Sequence, residues 1–377
     1  MKLQIDKETL LKSINTADSI ISSKNVNTIL SNCLINIMKD NIEIISTDNE
    51  VAIRTTIDAV SESSVSLTIN GKKLSSILKE LPNDELIIDI DDSMVIDIKT
   101  KSKEIKGHYS LIGTGADEYP EISKLSDNNS TDIEQGLLKE MIKKVVYAAS
   151  SDSIKPVFNG VLLISEKGSS VTAVATDSRR LSMITRPIDN IIKIGEKDSG
   201  IIIPLKTVNE IFRLLQNTGN CKFLYESNQC FFKINETEII SKIVDGQFPN
   251  YKQVIPQDHV LQVEIDTKKF LDSVKRAIIF TKEPANKILL NFKKDSLVIE
   301  AKTPELGETE EEIRINSQSD ETITLGINAQ FLIDALREID TDLVVCSITG
   351  QMSPMKISPK DDENYVSIIM PIQIKST

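Results

Sequence analysis

The sequence repeats itself three times at intervals the size of a domain. The segments that begin at residues 3, 131 and 263 read LQIDKETLLKSINTADSIIS, TDIEQGLLKEMIKKVVYAAS and VEIDTKKFLDSVKRAIIFTK. Each consists of a strand with alternating apolar residues, followed by apolar residues at helical spacing. Ile5, Ile133 and Ile265 align, so the repeats lie roughly 130 residues apart, which is the length of one domain.

A second set of three segments follows in phase with the first. At 67–81, 201–215 and 325–339 the chain reads LTINGKKLSSILKEL, IIIPLKTVNEIFRLL and LGINAQFLIDALREI. Two different elements that recur in the same order indicate repetition of a whole domain. The sequence therefore predicts an α+β fold of three tandem copies, each with two helices and outer β-sheets. We place the copies at 1–126, 127–257 and 258–377, and Asp6 and Asp266 at the N-caps of equivalent helices.

Charge is distributed unevenly along the chain. The formal net charge is −12, yet the six predicted helices sum to +6, because Asp and Glu crowd strands and loops such as DELIIDIDD and ELGETEEEIR. Charge alone leaves two interpretations open. The helix faces are simply solvated, or they form one surface that faces a polyanion while the rest of the protein repels it. Without interleaved aromatic residues or a zinc motif, such a surface would contact a nucleic acid backbone rather than read bases.

Sequence motifs for catalysis are missing. The chain has no phosphate-binding loop, dinucleotide fingerprint, zinc-protease helix or nucleophile elbow, and its two histidines are His108 and His259. We therefore expect no enzyme activity, no cofactor and no metal site. Asp89, Asp91 and Asp92 resemble a calcium-binding cluster, but the alternation with Ile88 and Ile90 predicts that they lie on the solvent face of a strand. A metal-dependent hydrolase that uses these aspartates is the alternative.

Cysteine usage and hydropathy indicate the compartment. The four cysteines are scattered without CxxC spacing, which favours free thiols in the core of a protein from a reducing cytoplasm. No run of about 18 apolar residues exists that could cross a membrane, and the charged start MKLQIDKETL is unlike a secretory signal. We expect a cytoplasmic protein. A surface adhesin of tandem domains is a third, disfavoured interpretation.

Several longer segments resemble a known family. They are MKLQIDKETLLK at the start, TDNE at 47–50, ADEYPEI at 116–122, FNGVLL at 158–163, VATDSRRL at 174–181, SKIVDGQFPNYKQVIP at 241–256 and YVSIIMPI at 365–372. Over essentially its whole length, and in the same order, the chain resembles the beta subunits of bacterial DNA polymerase III, the sliding clamps. The resemblance implies a homodimer whose two protomers pair head to tail into a ring of six domains.

The resemblance also implies function and partners. Helices would line the hole and encircle duplex DNA without sequence specificity, giving processivity to the replicative polymerase without catalysis. Short hydrophobic peptides from the polymerase alpha subunit, the clamp loader, other polymerases and repair proteins would bind a pocket. Its implied lining is Phe158, Thr176, Ser178, Arg179, Arg180, Leu181, Pro249, Val254, Met352, Pro354, Ile368, Met370, Pro371 and Ile372.

Two further sets of residues follow from the same resemblance. Lys24, Lys72 and Lys206 match positions that face DNA, and the ring seam is implied to include Lys73, Tyr109, Leu111, Ile279 and Phe280. The chain departs from the family pattern at the pocket. Arg179 stands where a histidine is usual, Gln253 stands where a basic residue is common, and a KST tail extends past the usual end.

Overall fold

The computed structural model describes residues 1–21, 28–101, 107–125, 130–151, 154–166, 170–188, 194–195, 200–226, 228–317 and 319–374. No helix in these ranges is long and apolar enough to cross a membrane. The α-helices are α1 (Lys7–Asp18), α2 (Gly71–Glu80), α3 (Gln135–Val146), α4 (Leu205–Leu214), α5 (Thr267–Ala277) and α6 (Ala329–Arg337).

Strands form most of the remaining structure. They are β1 (Lys2–Asp6), β2 (Cys33–Ile37), β3 (Asn41–Thr47), β4 (Val51–Asp58), β5 (Val60–Ser61), β6 (Val65–Ile69), β7 (Glu85–Ile90), β8 (Val95–Thr100), β9 (His108–Ile112), β10 (Thr114–Gly115), β11 (Thr131–Glu134), β12 (Gly160–Glu166), β13 (Ser170–Thr176), β14 (Arg180–Pro187), β15 (Ile201–Pro204), β16 (Asn220–Glu226), β17 (Gln229–Ile234), β18 (Thr237–Lys242), β19 (Leu261–Asp266), β20 (Lys287–Phe292), β21 (Ser296–Thr303), β22 (Gly307–Arg314), β23 (Asn316–Ser317), β24 (Ile323–Asn328), β25 (Leu343–Ile348), β26 (Met355–Pro359) and β27 (Tyr365–Ile369).

The same order of elements occurs three times. When the two-residue strands β5, β10 and β23 are left out, a strand and a helix are followed by four strands, a second helix and three more strands, with α1 and α2, α3 and α4, and α5 and α6 as the helix pairs. This confirms the α+β fold of three tandem copies. The limits placed at 126 and 257 stay a prediction.

Side-chain caps start the equivalent helices at equivalent residues. The carboxylate of Asp6 accepts the N–H of Thr9 at 2.8 Å, and the carboxylate of Asp266 accepts the N–H of Lys269 at 2.8 Å. Each cap satisfies a backbone donor that has no partner inside its helix. Both predicted N-caps are therefore confirmed.

Each copy contributes two four-stranded half-sheets, and sheets continue from one copy into the next. The half-sheet β6-β2-β3-β4 of the first copy joins β18-β17-β16-β11 of the second through β4 and β18. In the same way β15-β12-β13-β14 of the second copy joins β27-β26-β25-β19 of the third through β14 and β27. This sharing divides the chain into two compact units that cut across the repeats. The first unit is Met1–Gln135 with Asn209–Ile243, and the second is Gly136–Val208 with Val244–Thr377.

Two half-sheets stay separate, and each ends in an edge strand. Strand β9 ends the sheet β5-β1-β7-β8-β9 of the first unit, and β22 ends the sheet β22-β21-β20-β24 of the second. By position in the repeat, β22 corresponds to β4 and β14, whereas β9 corresponds to β18 and β27. The described edges of β9 and β22 thus lack the pairing that their counterparts make.

Two expectations about chemistry can be compared with this fold. Cys33, Cys221, Cys230 and Cys346 are buried and free, which confirms that they are core thiols. Asp89 lies on the half-exposed face of β7, 3.7 Å from the N-terminal ammonium group. The prediction for Asp91 is wrong, because β7 ends at Ile90 and the carboxylate of Asp91 accepts the N–H groups of Ser93 and Val95 in the turn that follows. Within the described ranges, no group of three or more His, Cys, Asp or Glu residues is placed to hold a metal ion.

Candidate peptide-binding site

An apolar cavity of about 360 Å³ lies in the second unit, beside the turn that joins β13 and β14. This volume is at the small end of the roughly 300–1,000 Å³ that is usual for ligand pockets. It would hold a short segment of chain and not a folded domain. Its lining residues are Arg179, Pro284, Ala285, Asn328, Phe331, Met370, Pro371 and Ile372.

The segment after β27 is fixed on both sides of the cavity by backbone hydrogen bonds. The N–H of Met370 donates to the carbonyl of Arg179 at 2.8 Å, and the N–H of Ile372 donates to the carbonyl of Gly326 at 2.7 Å. Glycine is needed at 326, since a Cβ there would lie 2.6 Å from the oxygen of Ile372. The wall formed by Met370 to Ile372 is therefore preformed.

Half of the cavity lining was predicted from sequence, and half was missed. The structure brings together the predicted Arg179, Met370, Pro371 and Ile372. The missed residues come from the loop before β20 and from the start of α6. Asn328 reads as an ordinary N-cap, and it does accept the N–H groups of Gln330 and Phe331. Nothing in a single sequence marks Phe331 as a cavity wall, because its spacing is that of an apolar helix face.

Arg180 is held inside the protein and does not line this cavity. Its Nε lies 3.0 Å from a carboxylate oxygen of Asp177, and its Nη1 lies 2.6 Å from one of Asp334. Its guanidinium also stacks 4.4 Å from the ring centre of Phe331. Its charge is therefore already neutralised by two carboxylates, and its contact with a bound peptide stays a prediction.

Three other predicted lining residues are buried. Leu181 and Ile368 face each other across β14 and β27 and pack in a core cluster with Tyr251. Thr176 is buried as well, and its hydroxyl donates to the carbonyl of Arg180 at 2.6 Å. These side chains lie directly beneath the surface, and their part in lining a peptide pocket stays a prediction.

The remaining predicted pocket residues lie outside the cavity lining. Val254 and Met352 are exposed apolar side chains, which is compatible with a surface extending beyond the cavity. Their role stays a prediction, as it does for Phe158, Ser178, Pro249 and Pro354.

Two of the three predicted DNA-facing lysines can be placed. Lys72 is exposed and Lys206 is half-exposed, and each is the second residue of its helix, α2 and α4 respectively. They therefore occupy equivalent positions in the first and second copies. Lys24 lies outside the described residues.

The predicted seam residues lie near the two edge strands. On β9, Leu111 is 6% exposed and packs in the core of the first unit with Tyr109 against it, whereas Ile112 is 80% exposed. Ile112 is thus the apolar side chain that this edge presents to solvent, and the role of Leu111 at the seam stays a prediction. Near β22, Ile279 and Leu306 are exposed, and Phe280 is half-buried. Lys73 is exposed on α2.

The architecture of three α+β copies with sheets shared between copies defines the class of DNA-clamp proteins. Family profiles agree along almost the whole chain. They match the N-terminal domain of the DNA polymerase III beta subunit at 1–123, its central domain at 132–250 and its C-terminal domain at 252–373. The chain belongs to the DNA polymerase III beta subunit family.

Individual relatives are similar over their full length. The beta sliding clamp of Halalkalibacterium halodurans is 28% identical, covering 99% of this chain and 100% of the relative, and that of Bacillus subtilis is 27% identical with the same coverage. A crystal structure of the Bacillus subtilis DNA polymerase sliding clamp is 26% identical, has a TM-score of 0.92 and covers 100% of both chains.

Proposed function

We propose that this chain is a non-catalytic sliding clamp that closes into a homodimeric ring around duplex DNA. The observation that carries the proposal is the pair of unpaired edges, β9 and β22. Within the chain, each strand in the position of β22 pairs with the last strand of the next copy, as β4 does with β18 and β14 with β27. Among the described residues, β22 of the third copy has no such partner. The same rule therefore directs β22 to β9 of a second protomer.

The same strand pairing, made at both ends of each protomer, would close the two protomers into a ring. Each protomer would offer β22 to its partner and receive the partner's edge at β9, so two identical seams complete a ring of six domains. Exposed strand edges readily add another strand. The exposed side chains of Ile112 on one edge, and of Ile279 and Leu306 beside the other, would supply apolar contacts at each seam. Lys73, Tyr109, Leu111 and Phe280 complete the proposed seam.

The DNA-facing surface is proposed to be formed by the helices. Lys72, Lys73 and Lys79 are exposed on α2, and α5 carries four basic residues against one acidic residue. A ring retains DNA by enclosure, so its lumen needs only weak phosphate contacts, and weak contacts let it move. The acidic remainder of the surface would repel DNA elsewhere. Lys24, Lys72 and Lys206 are the proposed contacts.

Partners are proposed to dock through the apolar cavity. A preformed cavity with apolar walls fits a short hydrophobic peptide, and the methionine at its edge adapts to different side chains. The polymerase alpha subunit, the clamp loader, other polymerases and repair proteins would each present such a peptide. The cytoplasm is the proposed compartment.

Retention on DNA of defined topology tests this function. The protein, loaded onto nicked circular plasmid by a bacterial clamp loader, should elute with the plasmid in gel filtration and be released when a restriction enzyme linearises it. Retention that survives linearisation would contradict enclosure. Lys72→Glu with Lys206→Glu should reduce loading, whereas Lys39→Glu with Glu62→Lys, in exposed loops away from the helices, serves as a folded control.

A further inference from the structure

Arg179 has a fixed backbone and an unpaired side chain. The carboxylate of Asp177 accepts the N–H groups of Arg179 and Arg180 at 2.9 Å each, Ser178 has a φ of 74°, and the carbonyl of Arg179 accepts the N–H of Met370. The Arg179 side chain is exposed, and in the part of the chain that the structure describes no carboxylate pairs with it. Its charge is therefore available at the rim of the cavity.

The chain builds the same turn a second time without an arginine. After β3, the carboxylate of Asp48 accepts the N–H of Glu50 at 3.0 Å, Asn49 has a φ of 73°, and the carbonyl of Glu50 accepts the N–H of Lys242 at 2.9 Å. Glu50 thus occupies the position of Arg179. Since an acidic residue is accepted there, the turn does not require the guanidinium, and Arg179 can be replaced without disturbing the fold.

No other residue in the cavity lining carries a positive charge. The remaining lining residues are uncharged. The start of α6 is already satisfied, because Asn328 accepts the N–H groups of Gln330 and Phe331 and the N–H of Ala329 donates to Asn286. Glu283, exposed and next to Pro284, adds a negative charge near the opposite rim.

We infer that this cavity selects peptides in which a carboxylate directly flanks the apolar anchor, and that Arg179 is the residue that determines this specificity. The inference rests on the proposed peptide-docking function and adds the chemistry of the preferred partner. A guanidinium beside an apolar wall pairs strongly with a carboxylate, since binding the anchor removes water from both charges. Arg180 is the positioning residue behind Phe331 and does not contribute to the choice.

Binding of matched peptides tests the inference. The probes are acetyl-Gly-Asp-Leu-Leu-Phe-Gly-amide, its Asn and Lys analogues, and a second series with the variable residue after the phenylalanine. Titration calorimetry at low and moderate salt gives each affinity. In one of the two series, we expect the Asp peptide to bind the native protein about 3- to 10-fold more tightly than its Asn analogue. This difference in affinity should become smaller at higher salt.

Charge reversal supplies the decisive comparison. Arg179→Glu should invert the order, so that the Lys peptide binds most tightly, and Arg179→Gln should abolish the preference while the Asn peptide binds as before. Arg337→Gln removes one exposed arginine at the far end of α6, outside the cavity, and should leave all affinities unchanged. Unchanged melting temperatures would confirm that the variants are folded.

The possible outcomes separate the inference from the function on which it rests. If the peptides of both series bind equally whatever their charge, or if Arg179→Glu leaves the order unchanged, the specificity role of Arg179 is overturned while the docking site stands. If the native protein binds none of the peptides at any charge, the docking site itself fails, and the inference fails with it.

Discussion

Arg180 shows how one buried cation can shape a neighbouring site. Its side chain is 13% exposed and satisfies Asp177 and Asp334, which are 16% and 19% exposed. Carboxylates at that depth depend on their counter-ion, because neither is fully solvated. The same guanidinium stacks on Phe331, so the position of one cavity wall depends on an ion pair.

Replacing Arg180 should therefore affect both stability and binding. We expect Arg180→Met to lower the free energy of unfolding by about 2–3 kcal/mol, because two half-buried carboxylates lose their partner. Affinity for an uncharged apolar peptide should fall as well, since Phe331 loses its stacking contact. Chemical unfolding and calorimetry measure the two effects. Arg179→Met, at an exposed side chain, should change stability by less than about 0.5 kcal/mol.

The four thiols make a second prediction at the residue scale. Burial raises the pKa of Cys221, Cys230 and Cys346 to about 12, and burial together with nearby Asp18 raises that of Cys33 well above its usual range. We expect none to react with Ellman's reagent at pH 8 in the native protein, and all four to react in guanidinium. Native reaction at the rate of a peptide thiol would contradict this burial.

The pH dependence of stability follows from the same shifts. Below about pH 8.5 the thiols are protonated in both states and contribute no slope. Above it, the unfolded chain loses protons that the folded chain keeps, so stability should fall as the pH rises from about 8.5 towards 12. Cys230→Ala should flatten this slope. An unchanged slope in that variant would show that other groups cause it.

Residue-scale prediction from sequence succeeded where a local pattern carries the information. The caps Asp6 and Asp266 are local, and so are the alternating residues around Asp89. Leu111 and Ile112 are adjacent, and only the register of β9 decides which of them faces solvent. A one-residue shift exchanges the two faces of a strand, so sequence alone could not choose between them.

At the scale of elements, Arg54 fixes the connector between the first two copies. It lies on β4, is 4% exposed, and donates to the carbonyls of Ile122 and Ser123 at 2.9 and 3.3 Å. It also lies 2.8 Å from the carboxylate of Glu238 on β18. One side chain thus joins a strand of each copy to the segment that connects them.

Loss of Arg54 should loosen this connector. We expect Arg54→Met to cost about 3 kcal/mol, because two connector carbonyls lose their donor and half-buried Glu238 keeps only the more distant of its two cations, Lys233 at 3.9 Å. Amide exchange at residues 121–125 should accelerate, since their carbonyls lose their donor. Lys101→Gln breaks an ion pair with Glu85 in which both side chains are exposed, and should cost less than about 0.5 kcal/mol. Equal effects of the two variants would show that Arg54 does not anchor the connector.

The elements themselves were predictable, but not all of their pairings. The sequence repeat predicted two helices per copy, because the spacing of apolar residues differs clearly between the helical and the strand part of each segment. The joining of β4 to β18 and of β14 to β27 was not predicted, since alternation marks the two faces of a strand and not its neighbour. These long-range pairs divide three copies into two compact units.

At the scale of the whole molecule, the proposed pairing of the two unpaired edges, β22 with β9 of a second protomer, would be a head-to-tail seam. Two single variants should therefore both be monomeric. Ile112→Lys damages the β9 edge and Ile279→Lys damages the surface beside β22, and every seam of either homodimer contains the damage. Both side chains are largely exposed, so the variants should fold. Ile154→Lys, at another exposed isoleucine, should stay dimeric.

Mixing the two monomeric variants tests the direction of the seam. The intact β22 surface of the Ile112→Lys chain can meet the intact β9 edge of the Ile279→Lys chain, which restores one native seam. The other seam carries both substitutions. Sedimentation velocity should therefore show a heterodimer that forms only on mixing, and circular DNA should not retain it, because that ring is open.

Each native seam is expected to depend on a few apolar contacts worth about 2 kcal/mol or more apiece, so one seam should suffice to hold the heterodimer together at micromolar concentration. An isologous seam through β9 alone would leave Ile279→Lys dimeric, and that result would refute the ring proposed here.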